Sequence, residues 1–193
     1  MYRPRLEVTG DCYHVGARGN NKEPVFLDDE DRRIFLLRLG RAARRHGWVV
    51  HAYVLMSNHY HLLIQLGDLG LSRGMCELNG GYAQSFNARH RRINHVFGRR
   101  FWDERITSDS QYHEVCRYVA LNPLRGGLER ELGTWPWSSY PSTIEAAFAP
   151  AFLASGELLA RFGTTPAVAR RAFIRYVSEG RVQRQPPEGL PPT

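Results

Sequence analysis

At 193 residues, 42% of them hydrophobic, the chain can build one full core with something left over. A formal charge of +7 and a pI near 9.7 favour a polyanionic partner, nucleic acid before an acidic membrane surface. Cys12, Cys76 and Cys116 are odd in number and widely spaced, which argues against a disulfide framework or a cysteine zinc site. The stretch Met1 to Glu7 lacks the apolar centre of a signal peptide, and no run approaches the roughly 18 apolar residues of a membrane span. A cytoplasmic protein with no membrane attachment is expected. Lys22 is the only lysine among 26 basic residues, so the placement of the arginines is more informative than their number.

In chain order, Cys12 to Gly19 alternates as a short strand and ends in a turn at Asn20-Asn21. His14 lies on it, a sheet histidine or a candidate extra metal ligand. From Asp28 the period changes: Phe35, Leu36, Leu39, Ala42, Ala43 and His46 recur at helical spacing, behind an acidic start and before Gly47. Arg41, Arg44 and Arg45 oppose the dipole at the end of that helix and so have a structural reason to be there. Trp48 to Met56 and Tyr60 to Leu66 read as a hairpin about Ser57-Asn58. A second helix is expected over about 72–89, weakened by Gly74, Gly80 and Gly81.

Between Phe86 and Arg105 six arginines (89, 91, 92, 99, 100, 105) face two acids and are interleaved with His90, His95, Phe97, Phe101 and Trp102. Cations neutralise phosphates and aromatic rings stack on bases, so Arg89, Arg91, Arg92, Arg99, Arg100 and Trp102 are candidate DNA contacts. A solvated loop with a few core anchors is the alternative. Trp102 to Ser108 reads as a strand. Ser108 then caps a third helix whose apolar stripe is Tyr112, Val115, Cys116 and Val119, and which Pro123 is expected to end. The order strand, helix, strand, strand, helix, strand, helix implies an α+β, ferredoxin-like antiparallel sheet with helices on one face. Trp135 to Tyr140 reads as an irregular packing segment, and Glu157 to Phe162 and Ala167 to Val177 as two short helices. Arg181 to Thr193, with four prolines, reads as a disordered tail.

Two features carry chemistry. His59 and His61 are two apart on a strand, so both imidazoles point to one face within about 7 Å of each other, the spacing of a chelate. Tyr118 and Asn122 are four apart on one helix flank. The amide oxygen of Asn122 would add a third ligand, and Tyr118 would aim its phenolic oxygen at a phosphate polarised by the metal. Taken singly, Tyr118 is an amphipathic core tyrosine and Asn122 a helix C-cap before proline.

The segment Val54 to Leu63, carrying Ser-Asn-His59-Tyr-His61, together with Tyr118 to Leu128, resembles the REP-associated tyrosine transposases, which belong to the HUH single-strand endonucleases. Tyr13-His14-Val15, Arg18 to Asn21, Phe26 to Asp29 and Trp135 to Tyr140 extend the resemblance over roughly residues 8 to 142. Ser57 stands where the family usually has proline, and Gly126 where it usually has alanine. The resemblance implies His59 and His61 as the metal pair, Asn122 as third ligand, Mg²⁺ or Mn²⁺ as cofactor, and Tyr118 as nucleophile. It also implies a substrate of single-stranded DNA folded as a REP-type palindromic hairpin, cut and rejoined through a 5′-phosphotyrosine. A monomer or homodimer, nucleoid-associated when bound to DNA, would follow. A protein of transposase descent that binds such hairpins without cutting is the alternative. A third reading, an RNA-binding ferredoxin-like module, would need more exposed aromatics than Tyr53 and Tyr60 on the central strands. The expected division is a catalytic domain over 1–145, a helical extension over 146–180 and a tail over 181–193.

Overall fold

The alternating stretches pair as their two-residue period demands. In the computed structural model, which describes residues 7–145 and 149–181, β1 (Cys12–Arg18), β2 (Val49–Leu55), β3 (His59–Gln65) and β4 (Trp102–Arg105) form one sheet. Its spatial order is β2-β3-β1-β4, every pairing antiparallel, so the two central strands are β1 and β3. This is the expected α+β, ferredoxin-like arrangement.

Alternation also sorts side chains into two cores. Tyr13, Val15 and Ala17 of β1 and Tyr60, Leu62 and Ile64 of β3 pack with Phe35 and Leu39 of α1 (Asp29–His46) and Tyr82 and Phe86 of α2 (Leu71–His90). The intervening Cys12 and Leu63, with Ala52 and Val54 of β2, pack with Val115 and Val119 of α3 (Asp109–Arg125). Phe173 and Val177 of α6 (Pro166–Glu179) close that second core. Each large side chain buried this way contributes about 1.5–3 kcal/mol, so a one-residue slip of β3 would lose both cores at once. The expected placement of helices on one face thus holds for α1 and α2, while α3 and the C-terminal helices cover the opposite face.

Helix termini follow local chemistry. Asp28 caps α1 by accepting from the Asp31 N–H at 2.9 Å, and Gly47 ends it with φ 66°. The N-terminus of α2 has no side-chain cap of its own. Glu7 supplies one from a distance, its carboxylate accepting from the Leu71 N–H at 2.7 Å and the Ser72 N–H at 2.9 Å. The glycines expected to weaken α2 leave its 20 residues unbroken. A Cβ on Gly74 would lie 2.1 Å from the Trp48 ring, and one on Gly81 2.3 Å from the Arg38 guanidinium, so both admit close neighbours.

Several boundaries differ from expectation. Strand β4 stops at Arg105, because Thr107 already donates its N–H to Gln111 and begins the cap of α3. Pro123 does not end α3, which continues to Arg125: Asn122 and Pro123 are buried, and Gly126 still donates to the Asn122 carbonyl at 2.8 Å. Tertiary burial outweighs the lost N–H. The segment after Trp137 is ordered rather than irregular. Ser138 bridges Val54 of β2, the Ser139 hydroxyl accepts from the Tyr53 N–H at 3.0 Å, and α4 (Ser139–Glu145) follows. The helix expected over 157–162 is α5 (Ser155–Ala160), and α6 extends past both ends of its expected range. Arg181 forms a turn on α6; the rest of the tail expected to be disordered lies outside the described residues. Among the described residues no helix is long and apolar enough to cross a membrane.

Candidate active site

The β3 register places His59 opposite Arg18 and His61 opposite Gly16, both imidazoles on the face covered by α3 and both buried at 7% and 2% exposure. Their rings stand 5.0 Å apart, edge to face. Burial lowers the His59 pKa to about 4, helped by the positive charge of Arg18 and opposed by the Asn122 amide, and drives that of His61 well below its usual value. Both imidazoles are therefore neutral near pH 7, the form that offers a lone pair to a metal.

The outer nitrogens are spoken for. His59 Nδ1 lies 2.7 Å from Asn58 Oδ1, an acceptor, so the proton sits on Nδ1. His61 Nδ1 lies 3.1 Å from Nε2 of His14, which is fully buried on β1. His59 Nε2, His61 Nε2 and both polar atoms of the buried Asn122 amide complete no hydrogen bond of good geometry. Buried polar atoms left open cost roughly 1–3 kcal/mol each. Two imidazole nitrogens and an amide oxygen so arranged offer three donors to a divalent cation.

Tyr118 reaches this cluster from α3. Its ring meets His61 edge-on at 5.0 Å and His14 at 5.6 Å, and it is 1% exposed. Asn122, one turn further along α3, acts on both Tyr118 and His59. Burial raises the Tyr118 pKa, while Asn122, Arg125 and Arg18 pull it back. Trp102 also belongs here: its ring lies 4.6 Å from that of His14 and 5.4 Å from that of His61. Gly16 makes the crossing feasible, since a Cβ there would lie 2.4 Å from the Trp102 ring. His59, His61, Tyr118 and Asn122 are thus brought together, with Trp102 beside them rather than out on the arginine stretch.

The arginines divide. Arg89 forks onto Asp28 and Asp31, and Arg92 pairs with Glu23, so both have structural partners. Arg91 is exposed and caps α2 in the left-handed region, φ 52°, while Arg99 and Arg100 are exposed. The ligand-type atoms of Asp28, Asp31 and His90 lie within 4.8 Å of one another, a possible-looking metal group by composition that Arg89 already neutralises. The hydrogen bond between His14 and His61 and the space at Gly16 escaped the sequence reading, because both depend on the register between β1 and β3.

The family model described as "Transposase IS200 like" matches residues 8–121, more than half of the chain and both histidines, the tyrosine and most of the helix that carries it. The chain belongs to that family. Among curated relatives, the REP-associated tyrosine transposase of Escherichia coli (strain K12) is 20% identical over 112 residues, 57% of this chain and 65% of that protein. The match therefore spans just under two thirds of that relative's length. Among solved structures, a REP-associated tyrosine transposase bound to a REP hairpin superposes with a TM-score of 0.63 at 19% identity, covering 80% of this chain and 91% of that one. The fold of this family member is thus that of a REP-associated tyrosine transposase, as the motifs implied.

Proposed function

We propose that this transposase-family protein is a metal-dependent single-stranded DNA endonuclease that cleaves and rejoins DNA at REP-like palindromic hairpins through a 5′-phosphotyrosine. The observation that carries the reading is the convergence of Tyr118, 5.0 Å ring to ring from His61, with two buried imidazole nitrogens and an amide that complete no hydrogen bond of good geometry. His59, His61 and Asn122 would hold Mg²⁺ or Mn²⁺, which when bound supplies a Lewis acid for the phosphate. The chain's own residues do the rest. Tyr118 Oη forms the bond to phosphorus as the bond to the 3′-oxygen breaks; the phenolic proton leaves to solvent and the 3′-oxygen ends as a hydroxyl. Arg125 and Arg18 favour the phenolate electrostatically, against the cost of burial. The phosphotyrosine conserves bond energy, so the reverse attack by a 3′-hydroxyl rejoins a strand. Arg91, Arg99 and Arg100 are the exposed candidates for phosphate contact, with Arg89 and Arg92 available only if DNA displaces their carboxylate partners. A monomer suffices for this site, since all four residues come from one chain.

The burial of Tyr118, 1% exposed, favours a second reading in which the protein binds hairpin DNA without cutting. One assay separates them: a labelled single-stranded hairpin is incubated with Mn²⁺, and label is sought on denatured protein. Tyr118→Phe keeps the ring and removes the nucleophile, so the adduct is expected to vanish while DNA binding survives. Tyr112→Phe, in the core of the same helix, is expected to keep it. Label retained by Tyr118→Phe would move the chemistry elsewhere, and no label on the wild type would favour binding alone.

A further inference from the structure

The turn that follows β1 holds a backbone conformation that its side chains do not favour. Asn21 and Lys22 both lie in the left-handed region, φ 51° and 61°, although neither is glycine. Both side chains are exposed, so packing gives no return for the strain. Such residues persist where their surroundings fix them, and they cluster where the geometry they impose is used. Here the turn is tied down on several sides. The Gly19 N–H donates to the Asn58 carbonyl at 2.8 Å, the Lys22 N–H to the Gly19 carbonyl at 3.1 Å and the Glu23 N–H to the Asn20 carbonyl at 2.9 Å. A Cβ on Gly19 would lie 2.0 Å from the Glu23 carbonyl oxygen, so the turn closes only over glycine. Just beyond it, Val25 and Phe26 both donate to the Ser57 carbonyl, at 2.9 and 3.1 Å. These bonds fix the backbone between β2 and β3 and leave one freedom at Asn58, the direction in which its amide faces.

The Lys22 carbonyl sets that direction. It lies 3.1 Å from Asn58 Nδ2 and can only accept, so the NH₂ end of the amide faces it; the reverse would set two acceptor oxygens against each other. The Oδ1 end then faces His59 Nδ1 at 2.7 Å. Since Oδ1 can only accept, the neutral ring carries its proton on Nδ1, and the buried Nε2 keeps a lone pair that completes no hydrogen bond of good geometry. Two hydrogen bonds therefore run in series from a strained turn, through Asn58, to a candidate metal ligand. An imidazole whose second nitrogen donates to such a partner is fixed in both tautomer and ring orientation. His61 has a different partner, His14 on β1, so the two imidazoles are set from separate parts of the chain.

We propose that Asn58 is a positioning residue: keyed by the carbonyl of the strained Asn21-Lys22 turn, its amide holds the His59 proton on Nδ1 and reserves Nε2 for the metal. This rests on the metal reading above but not on cleavage, and is tested without DNA. Two measurements serve. Two-bond ¹H–¹⁵N correlation spectra of the metal-free protein, labelled at histidine, read which ring nitrogen of His59 carries the proton, and electron paramagnetic resonance measures Mn²⁺ affinity. The wild type is expected to carry the proton on Nδ1. Asn58→Leu keeps the size of the side chain without its amide; it is expected to move proton population to Nε2 and to weaken Mn²⁺ binding by about 10–100-fold. Asn58→Asp still offers an acceptor to Nδ1–H and is expected to restore both. Lys22→Gly keeps the carbonyl and suits the positive φ, so it should match the wild type, whereas Lys22→Val, β-branched where φ is 61°, should shift both readouts as Asn58→Leu does. A wild-type His59 with its proton on Nε2 overturns the proposal without any variant. So does a folded Asn58→Leu protein that keeps both tautomer and affinity, or one that loses affinity with the proton still on Nδ1; either leaves the function reading standing. No Mn²⁺ binding by a wild type whose proton sits on Nδ1 overturns the metal reading, and with it the purpose assigned to Asn58.

Discussion

The position of one proton decides how the candidate site can work. For Nε2 of His61 to present a lone pair, Nδ1 must hold the hydrogen, and the group placed to accept it is Nε2 of His14 at 3.1 Å. His14 was legible from sequence as a sheet histidine or an extra ligand; its role as an acceptor was not, because it lies 47 positions from His61 and only the β1–β3 register brings them together. The His-x-His pair was legible because strand period alone puts both rings on one face. His14→Phe keeps a ring against Trp102 and Tyr118 but removes the acceptor. Losing such an orienting partner typically costs about 10–100-fold in metal affinity. Mn²⁺ titration of the DNA-free protein by electron paramagnetic resonance is expected to show that loss, with partial recovery in His14→Gln. Equal affinity in His14→Phe and wild type would reduce His14 to packing.

At the scale of elements, α3 is the piece whose behaviour the sequence understated. Pro123 was expected to end it at Asn122, whereas α3 runs on to Arg125 and residues Tyr118 to Pro123 are all buried. The reason is α6, which packs across the outer side of α3: Arg117 lies 3.6 Å above the Tyr176 ring, and Arg125 donates to the Gly180 carbonyl at 3.2 Å. Spacing revealed that α6 exists, but no local signal says which helix it covers. Within the helical extension expected over 146–180, Phe173 of α6 packs into the sheet's second core, on Tyr140 and Phe162 at 5.6 and 5.0 Å. Phe173→Ala is expected to cost about 3–5 kcal/mol. A single cooperative urea transition, shifted as a whole, is the expected form of that loss. An early separate transition would make the extension an independent unit.

Over the whole molecule, the sheet's second face holds an unusual number of buried imidazoles, and they set how the fold responds to acid. His51 is the cleanest reporter, because it sits on the β2 irregularity away from the candidate metal ligands, 1% exposed and with both ring nitrogens lacking a well-formed hydrogen bond. Burial, aided by the charge of Arg161, lowers its pKa to about 4 from 6.5. Its folded value lies below its unfolded value, so above pH 6.5 the group is neutral in both states and contributes nothing to the pH dependence. As pH falls below 6.5 the unfolded chain takes up a proton that the folded chain refuses, and stability declines until about pH 4, where the folded form protonates as well. The full loss from this one residue is on the order of 3 kcal/mol. In EDTA, denaturation of the wild type between pH 7 and pH 4 is expected to show a steep fall to which His14 and His59, lowered to about 3 and about 4, also contribute. His51→Leu occupies similar space without the titrating nitrogen, and its stability curve is expected to be flatter over that window by the same few kcal/mol. A slope identical to that of the wild type would mean that His51 gains its proton in the folded state as readily as in water.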